Sequence, residues 1–202
     1  IAWSNNGFYT LDFISGFSEV SYSMDLHYGA NLISFYALPE DVSLSNMFSS
    51  VEGIVTGVIG EGVAASRLGD GNWVGSLANI SYSSGYWVKT HYDCELLFIG
   101  IRDGEVVYNL HAGNNLISYP FPGSMDISLS IPDLAEGYFT GIIGEGVAAS
   151  QIAPFTWVGS LNELQGGNGY WVKVTFPFEF SFTHPDDVII LSPEIPKTNI
   201  RK

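Results

Sequence analysis

The chain has 202 residues, 46% of them apolar and only 14% charged, a balance that predicts a packed core and excludes a disordered chain. It carries 21 acidic residues against 7 basic ones, and three of the basic residues (Lys197, Arg201 and Lys202) fall in the last six positions. The body therefore lacks the clustered Lys and Arg that track a phosphate backbone or an anionic membrane, so no nucleic acid and no charged lipid surface is expected as a partner.

Cys94 is the single cysteine, which excludes an intrachain disulfide. No apolar run is long enough to cross a bilayer as a helix, so no membrane insertion is expected. The first residue is Ile1 rather than Met, and no basic-then-apolar leader is present, which suggests a processed product or a fragment. Together with the acidity, this points to an extracellular, cell-surface or virion location. Aromatics at 14% and 23 glycines favour strands and tight turns over helices.

In chain order, residues 1–19 read as an N-terminal strand segment containing FYTLDFISGF. Residues 20–103 then form a first module and 104–182 a second, because the chain repeats itself at an offset of 84 residues. Asn31-Leu32-Ile33-Ser34 returns at 115–118, Ile59-Gly60-Glu61-Gly62-Val63-Ala64-Ala65-Ser66 at 143–150, Trp73-Val74-Gly75-Ser76-Leu77 at 157–161, and Gly85-Tyr86-Trp87-Val88-Lys89 at 169–173. His27 likewise matches His111. Residues 183–202 read as an extended C-terminal arm or linker with one short strand candidate, Val188 to Leu191.

Within each module the pattern predicts the same elements. A strand over Tyr22 to His27 leads through a glycine turn to a second over Asn31 to Tyr36, which suggests a hairpin. Leu44, Met47, Phe48 and Val51 fall at helical spacing after Ser43, a good N-cap, and Pro132 suits the first turn of the equivalent helix in the second module. Strands follow over Gly53 to Ile59, Trp73 to Leu77 and Tyr86 to Thr90. Glu95 to Ile101 and Glu105 to Leu110 flank Arg102-Asp103-Gly104, which predicts a hairpin joining the modules. The expected fold is mostly β: two tandem pseudo-equivalent β modules, each with one short helix.

The repeated string fits the G-x-G-x-x-A dinucleotide fingerprint, but no helix follows it and Pro154 interrupts the second copy. No cofactor is therefore expected. Gly60, Glu61, Gly62, Gly144, Glu145 and Gly146 are read as a structural turn, with each Glu accepting backbone N–H groups or pairing with Lys89 and Lys173. One carboxylate per module makes a poor calcium site, and Gly69-Asp70-Gly71-Asn72 reads as a surface turn, so no metal is expected. His27 and His111 have no second histidine at metal spacing, and His91 and His184 are unmatched in the repeat. No catalytic set is evident, and no enzyme is expected.

The recurrent aromatics are the candidate interface or ligand residues: Trp73, Tyr86, Trp87, Trp157, Tyr170 and Trp171. Neighbours on a strand point to opposite faces, so one of Tyr86 and Trp87 is buried. Lys89 shares the Trp87 face and marks it as the outer one, which leaves Tyr86 and Val88 inside. An exposed ring of this kind anchors a protein partner or stacks on a sugar.

The series NLISFYALPED, GVIGEGVAAS, WVGSL and SGYWVK resembles a repeated module of large secreted proteins of marine bacteria and of uncharacterised marine phage proteins. The resemblance spans about residues 20–182 and implies extracellular or virion-associated modules appended to longer chains. It carries no activity and no residue roles. The expected function is that of a non-catalytic structural or adhesive module, acting through self-association or other protein subunits. Glycan binding through the repeated Trp and Tyr is the alternative.

Overall fold

A computed structural model describes residues 19–69, 71–102 and 105–187. The segment 1–18, Asp70 of the expected Gly69-Asp70-Gly71-Asn72 surface turn, the Asp103-Gly104 pair and most of the C-terminal arm including Val188 to Leu191 lie outside the described residues.

The first module contains β1 (Glu19–Leu26), β2 (Gly29–Ser34), α1 (Leu44–Met47), β3 (Val55–Gly60), β4 (Val63–Arg67), β5 (Trp73–Gly75), β6 (Gly85–Thr90) and β7 (Cys94–Ile101). The second contains β8 (Tyr108–Leu110), β9 (Gly113–Ser118), β10 (Ser124–Asp126), α2 (Ile127–Ser130), α3 (Asp133–Glu136), β11 (Phe139–Gly144), β12 (Val147–Ala153), β13 (Thr156–Gly159), β14 (Glu163–Gln165), β15 (Gly169–Val174) and β16 (Phe178–Phe180). The chain is mostly β, and its two modules are built alike. Each has a five-stranded antiparallel sheet, ordered β2-β6-β3-β4-β5 in the first and β9-β15-β11-β12-β13 in the second. A two-stranded ribbon, β1 with β7 or β8 with β16, lies beside each sheet.

Each module closes its own hydrophobic core. Leu26, Ile33, Val58, Leu77, Tyr86 and Val88 are buried in the first, and Leu110, Ile117, Ile142, Leu161, Tyr170 and Val172 in the second. These are the same positions, 84 residues apart. The period-2 burial of β6 and β15 explains the repeated GYWVK: Tyr and Val point in, Trp and Lys point out.

Both expected hairpins are replaced by other pairings. β1 does not pair with β2; it pairs with β7, from Glu19 opposite Ile101 to Leu26 opposite Cys94. The reason is a corner. Asn31 Oδ1 accepts the His27 N–H at 2.8 Å and its Nδ2 donates to the His27 carbonyl at 2.9 Å. With Gly29 at φ +108°, this turns the chain from the ribbon into the sheet. Asn115 holds His111 in the same way. Nor do the strands on either side of Asp103-Gly104 pair with each other, because β7 is committed to β1 and β8 to β16.

The helical segment of the first module begins where Ser43 caps it, its Oγ accepting the Asn46 N–H, and then tightens into a 3-10 turn over Ser49–Val51. In the second module the segment is split. Asp126 caps α2, and Ile131 is extended, as the residue before a proline tends to be. Pro132 then stands at the N-cap of α3.

Candidate functional site: a reciprocal clasp between the modules

The repeated IGEGVAAS forms the hairpin of β3 with β4 and of β11 with β12. Gly60 pairs with Val63, leaving Glu61 and Gly62 as a two-residue turn, and Gly144 pairs with Val147 around Glu145 and Gly146. Gly62 and Gly146 adopt φ +69° and +70°, where an L side chain is strained. A Cβ on Gly60 would lie 3.3 Å from the Tyr86 ring, so the first glycine lets that ring pack under the turn. No helix follows, and the turn has none of the fingerprint's phosphate-binding geometry.

The glutamate at the tip crosses to the other module. Glu61 Oε1 lies 2.6 Å from His111 Nε2, and its Oε2 accepts the Leu116 N–H at 2.7 Å. Reciprocally, Glu145 Oε1 lies 2.5 Å from His27 Nε2 and its Oε2 accepts the Leu32 N–H at 2.7 Å. Of the two partners expected for these glutamates, the backbone N–H groups are correct. Lys89 and Lys173 are not the cationic partners; a histidine of the other module takes that place, since the turn points away from its own sheet.

The geometry around both histidines favours their cationic form. Nδ1 of His27 faces the Tyr28 carbonyl at 2.8 Å, and Nδ1 of His111 the Ala112 carbonyl at 2.9 Å. Each ring thus has an acceptor at both nitrogens, and only a doubly protonated imidazolium donates to both. The Glu145 hydrogen bond and then the Tyr28 carbonyl raise the pKa of His27. The Ala112 carbonyl and then the Glu61 hydrogen bond raise that of His111.

The clasp also covers sheet edges. β2 and β9 are edge strands of their sheets, and an unpaired edge exposes a row of N–H and C=O groups. The N–H groups of Leu32 and Ser34 go to Glu145 and to the Gly167 carbonyl, and those of Leu116 and Ser118 to Glu61 and the Ser83 carbonyl. The Ser34 hydroxyl donates to the Asn168 carbonyl at 2.6 Å, and the Ser118 hydroxyl donates to the Tyr82 carbonyl. The modules approach so closely here that a Cβ on Gly85 would lie 2.8 Å from the Ile117 carbonyl oxygen, and one on Gly169 2.7 Å from that of Ile33. The glycine of GYWVK is thereby explained in both copies.

The candidate aromatics divide. Tyr86 and Tyr170 are core residues, each 2% exposed, with hydroxyls accepting the N–H of Ser81 and Gln165, so neither offers a ring to a ligand. Trp87 and Trp171 are half-buried on the outer sheet faces. Trp73 packs against Phe48, and Trp157 donates its Nε1 to Glu136 at 2.5 Å.

The histidine–glutamate pairing was the signal missed in the sequence. His27/His111 and Glu61/Glu145 are equivalent polar positions that recur together, and a repeated pair of opposite charge character points to a contact between copies. Among the described residues no three His, Cys, Asp or Glu gather as a metal site, and no helix is long and apolar enough to cross a membrane. No family model, curated protein or solved structure matches the chain, so its function must be read from its own geometry.

Proposed function

We propose that this chain is a non-catalytic structural or adhesive pair of modules in an extracellular or virion-surface assembly, acting through self-association. The proposal keeps the resemblance to repeated secreted and phage modules as its frame. The observation that carries it is an apolar outer face present on both sheets. Ile59 stands opposite Trp87 and Ile143 opposite Trp171 in the ladders, and Val74 and Val158 extend the same faces. Ile59 and Ile143 are 54% and 55% exposed, and Val74 and Val158 are 47% and 45% exposed.

Single exposed apolar residues are ordinary, but the same cluster kept on the same face of two diverged modules is what a contact surface requires. Lys89 and Lys173 lie beside the clusters with apolar stems that can lengthen such a contact. The clasp itself is already satisfied on both sides within the chain, so association uses another surface, and the outer faces supply one.

Light scattering across a concentration series tests this. The native chain is expected to gain mass with concentration, and Ile59→Asp combined with Ile143→Asp to remain monomeric. A native chain of constant monomer mass contradicts the proposal.

A further inference from the structure

The contacts of the clasp cross the boundary between the modules in matched pairs. Glu61 with His111 and Leu116 is answered by Glu145 with His27 and Leu32. The Ser34 N–H donates to the Gly167 carbonyl at 2.8 Å, and the Ser118 N–H to the Ser83 carbonyl at 3.2 Å. Gly85 faces Leu116 and Ile117, and Gly169 faces Leu32 and Ile33. Each module therefore carries both halves of the contact: the glutamate and the histidine, the edge strand and the carbonyl that receives it, the leucine and the glycine.

Leu32 and Leu116 are the apolar part of this face. Both are buried, yet neither belongs to the core of its own module. A Cβ on Gly169 would lie 3.1 Å from Leu32 Cδ1, and one on Gly85 2.9 Å from Leu116 Cδ1, so each leucine packs on a glycine of the other module. The two cores share no residue, and among the described residues no sheet contains strands of both modules. Separating the modules thus breaks no core and no strand ladder. It uncovers two leucines and two edge strands whose N–H groups then lack partners. Such an opening is local to the boundary, and the face it leaves is covered fully only by an equivalent face.

We propose that this face is the docking site for a second copy of the chain, module one of each copy clasping module two of the other. In the closed chain the clasp is satisfied internally, so the docking is an exchange: contacts given up within two chains are regained between them. Reciprocity makes the exchange complete. A partner presenting only a glutamate or only a histidine leaves half of the face unsatisfied, whereas a second copy supplies every group in register. This surface is distinct from the outer sheet faces, and the proposal does not rest on the outer-face reading. A short tether holds its two ends at an effective concentration on the order of millimolar. Residues 102–107 tether β7 to β8, so the closed chain dominates in dilute solution. Exchange gains ground in concentrated solution once the boundary is opened.

The test uses the full chain carrying Ile59→Asp and Ile143→Asp at two exposed positions, which removes outer-face association and lets the two readings fail separately. Isotopically labelled and unlabelled copies are mixed at about 1 mM in urea below the unfolding transition and returned to buffer at that concentration. Light scattering is expected to show dimers. Isotope-filtered NMR is expected to place the Leu116 methyl protons of labelled copies beside Gly85 of unlabelled ones, and those of Leu32 beside Gly169. Diluted dimers are expected to return to monomers, and adding Glu61→Ala and Glu145→Ala to speed that return about tenfold or more, since each removes a hydrogen bond to a charged group that holds the boundary shut. A purely monomeric mass at the starting concentration, dimers without the crossed proximities, or an unchanged rate of return would each overturn the proposal.

Discussion

Glu61 of the first module holds His111 of the second, and 84 residues further on Glu145 holds His27 in return. This exchange makes the boundary between the modules self-complementary. Each carboxylate binds a ring N–H and a backbone N–H of the opposite edge strand. Identical sequences at two places thus produce one symmetric contact, which is the arrangement of an isologous interface within a single chain.

The clasp makes stability depend on pH in a definite direction. Both histidines have pKa values raised in the folded state by their acceptors. A raised pKa contributes stability fully present below the unfolded value, about 6.5, and lost as pH rises through the folded value. The melting temperature is therefore expected to fall as pH rises from about 6 into the mildly alkaline range. A His27→Gln, His111→Gln double variant should lose that slope.

Glu61→Ala removes a partner from the Leu116 N–H on a covered sheet edge. The expected cost is about 1–2 kcal/mol in denaturant unfolding, since an orphaned N–H costs more than the half-exposed ion pair. Glu145→Ala should cost a similar amount through the Leu32 N–H. Equal losses from residues in different modules would mark a shared interface.

Gly85→Ala and Gly169→Ala should each force the modules apart. The added methyl meets backbone, which cannot rotate away, at under 3 Å. Overpacking of this kind costs about 1–3 kcal/mol. Hydrogen exchange should quicken at Ile33, Ser34, Ile117 and Ser118 before it quickens in either core.

Glu136→Gln should be neutral or stabilising. Its Oε1 accepts from Trp157, but its buried Oε2 has no hydrogen-bond partner among the described residues. Glutamine keeps the acceptor and puts a neutral amide in place of an ionisable carboxyl in an apolar setting. Glu136→Ala should destabilise, because the Trp157 N–H then loses its partner; thermal unfolding of both variants checks this.

Much of the architecture was legible because it rests on local periodicity. The 84-residue offset exposed the duplication, and the Trp87–Lys89 alternation identified the outer face that the burial of Tyr86 and Val88 matches. Strand pairing was less legible. Tyr22 to His27 and Asn31 to Tyr36 look like a hairpin, yet the Asn31 side chain bonds both main-chain groups of His27 and redirects the chain. β1 instead pairs with a strand about 70 residues away, as only long-range packing decides. The clasp was half legible: the turn and its N–H acceptance followed from Gly-Glu-Gly, but the partner histidine lies in the other copy. No spacing within one module encodes a contact between two.

The most direct measurement is the pKa of each histidine by NMR in Glu61→Gln and Glu145→Gln. The crossed clasp predicts that Glu61→Gln lowers the pKa of His111 and leaves His27 unchanged, while Glu145→Gln does the reverse. If each substitution moved the histidine of its own module, or neither histidine, the reciprocal clasp would be contradicted.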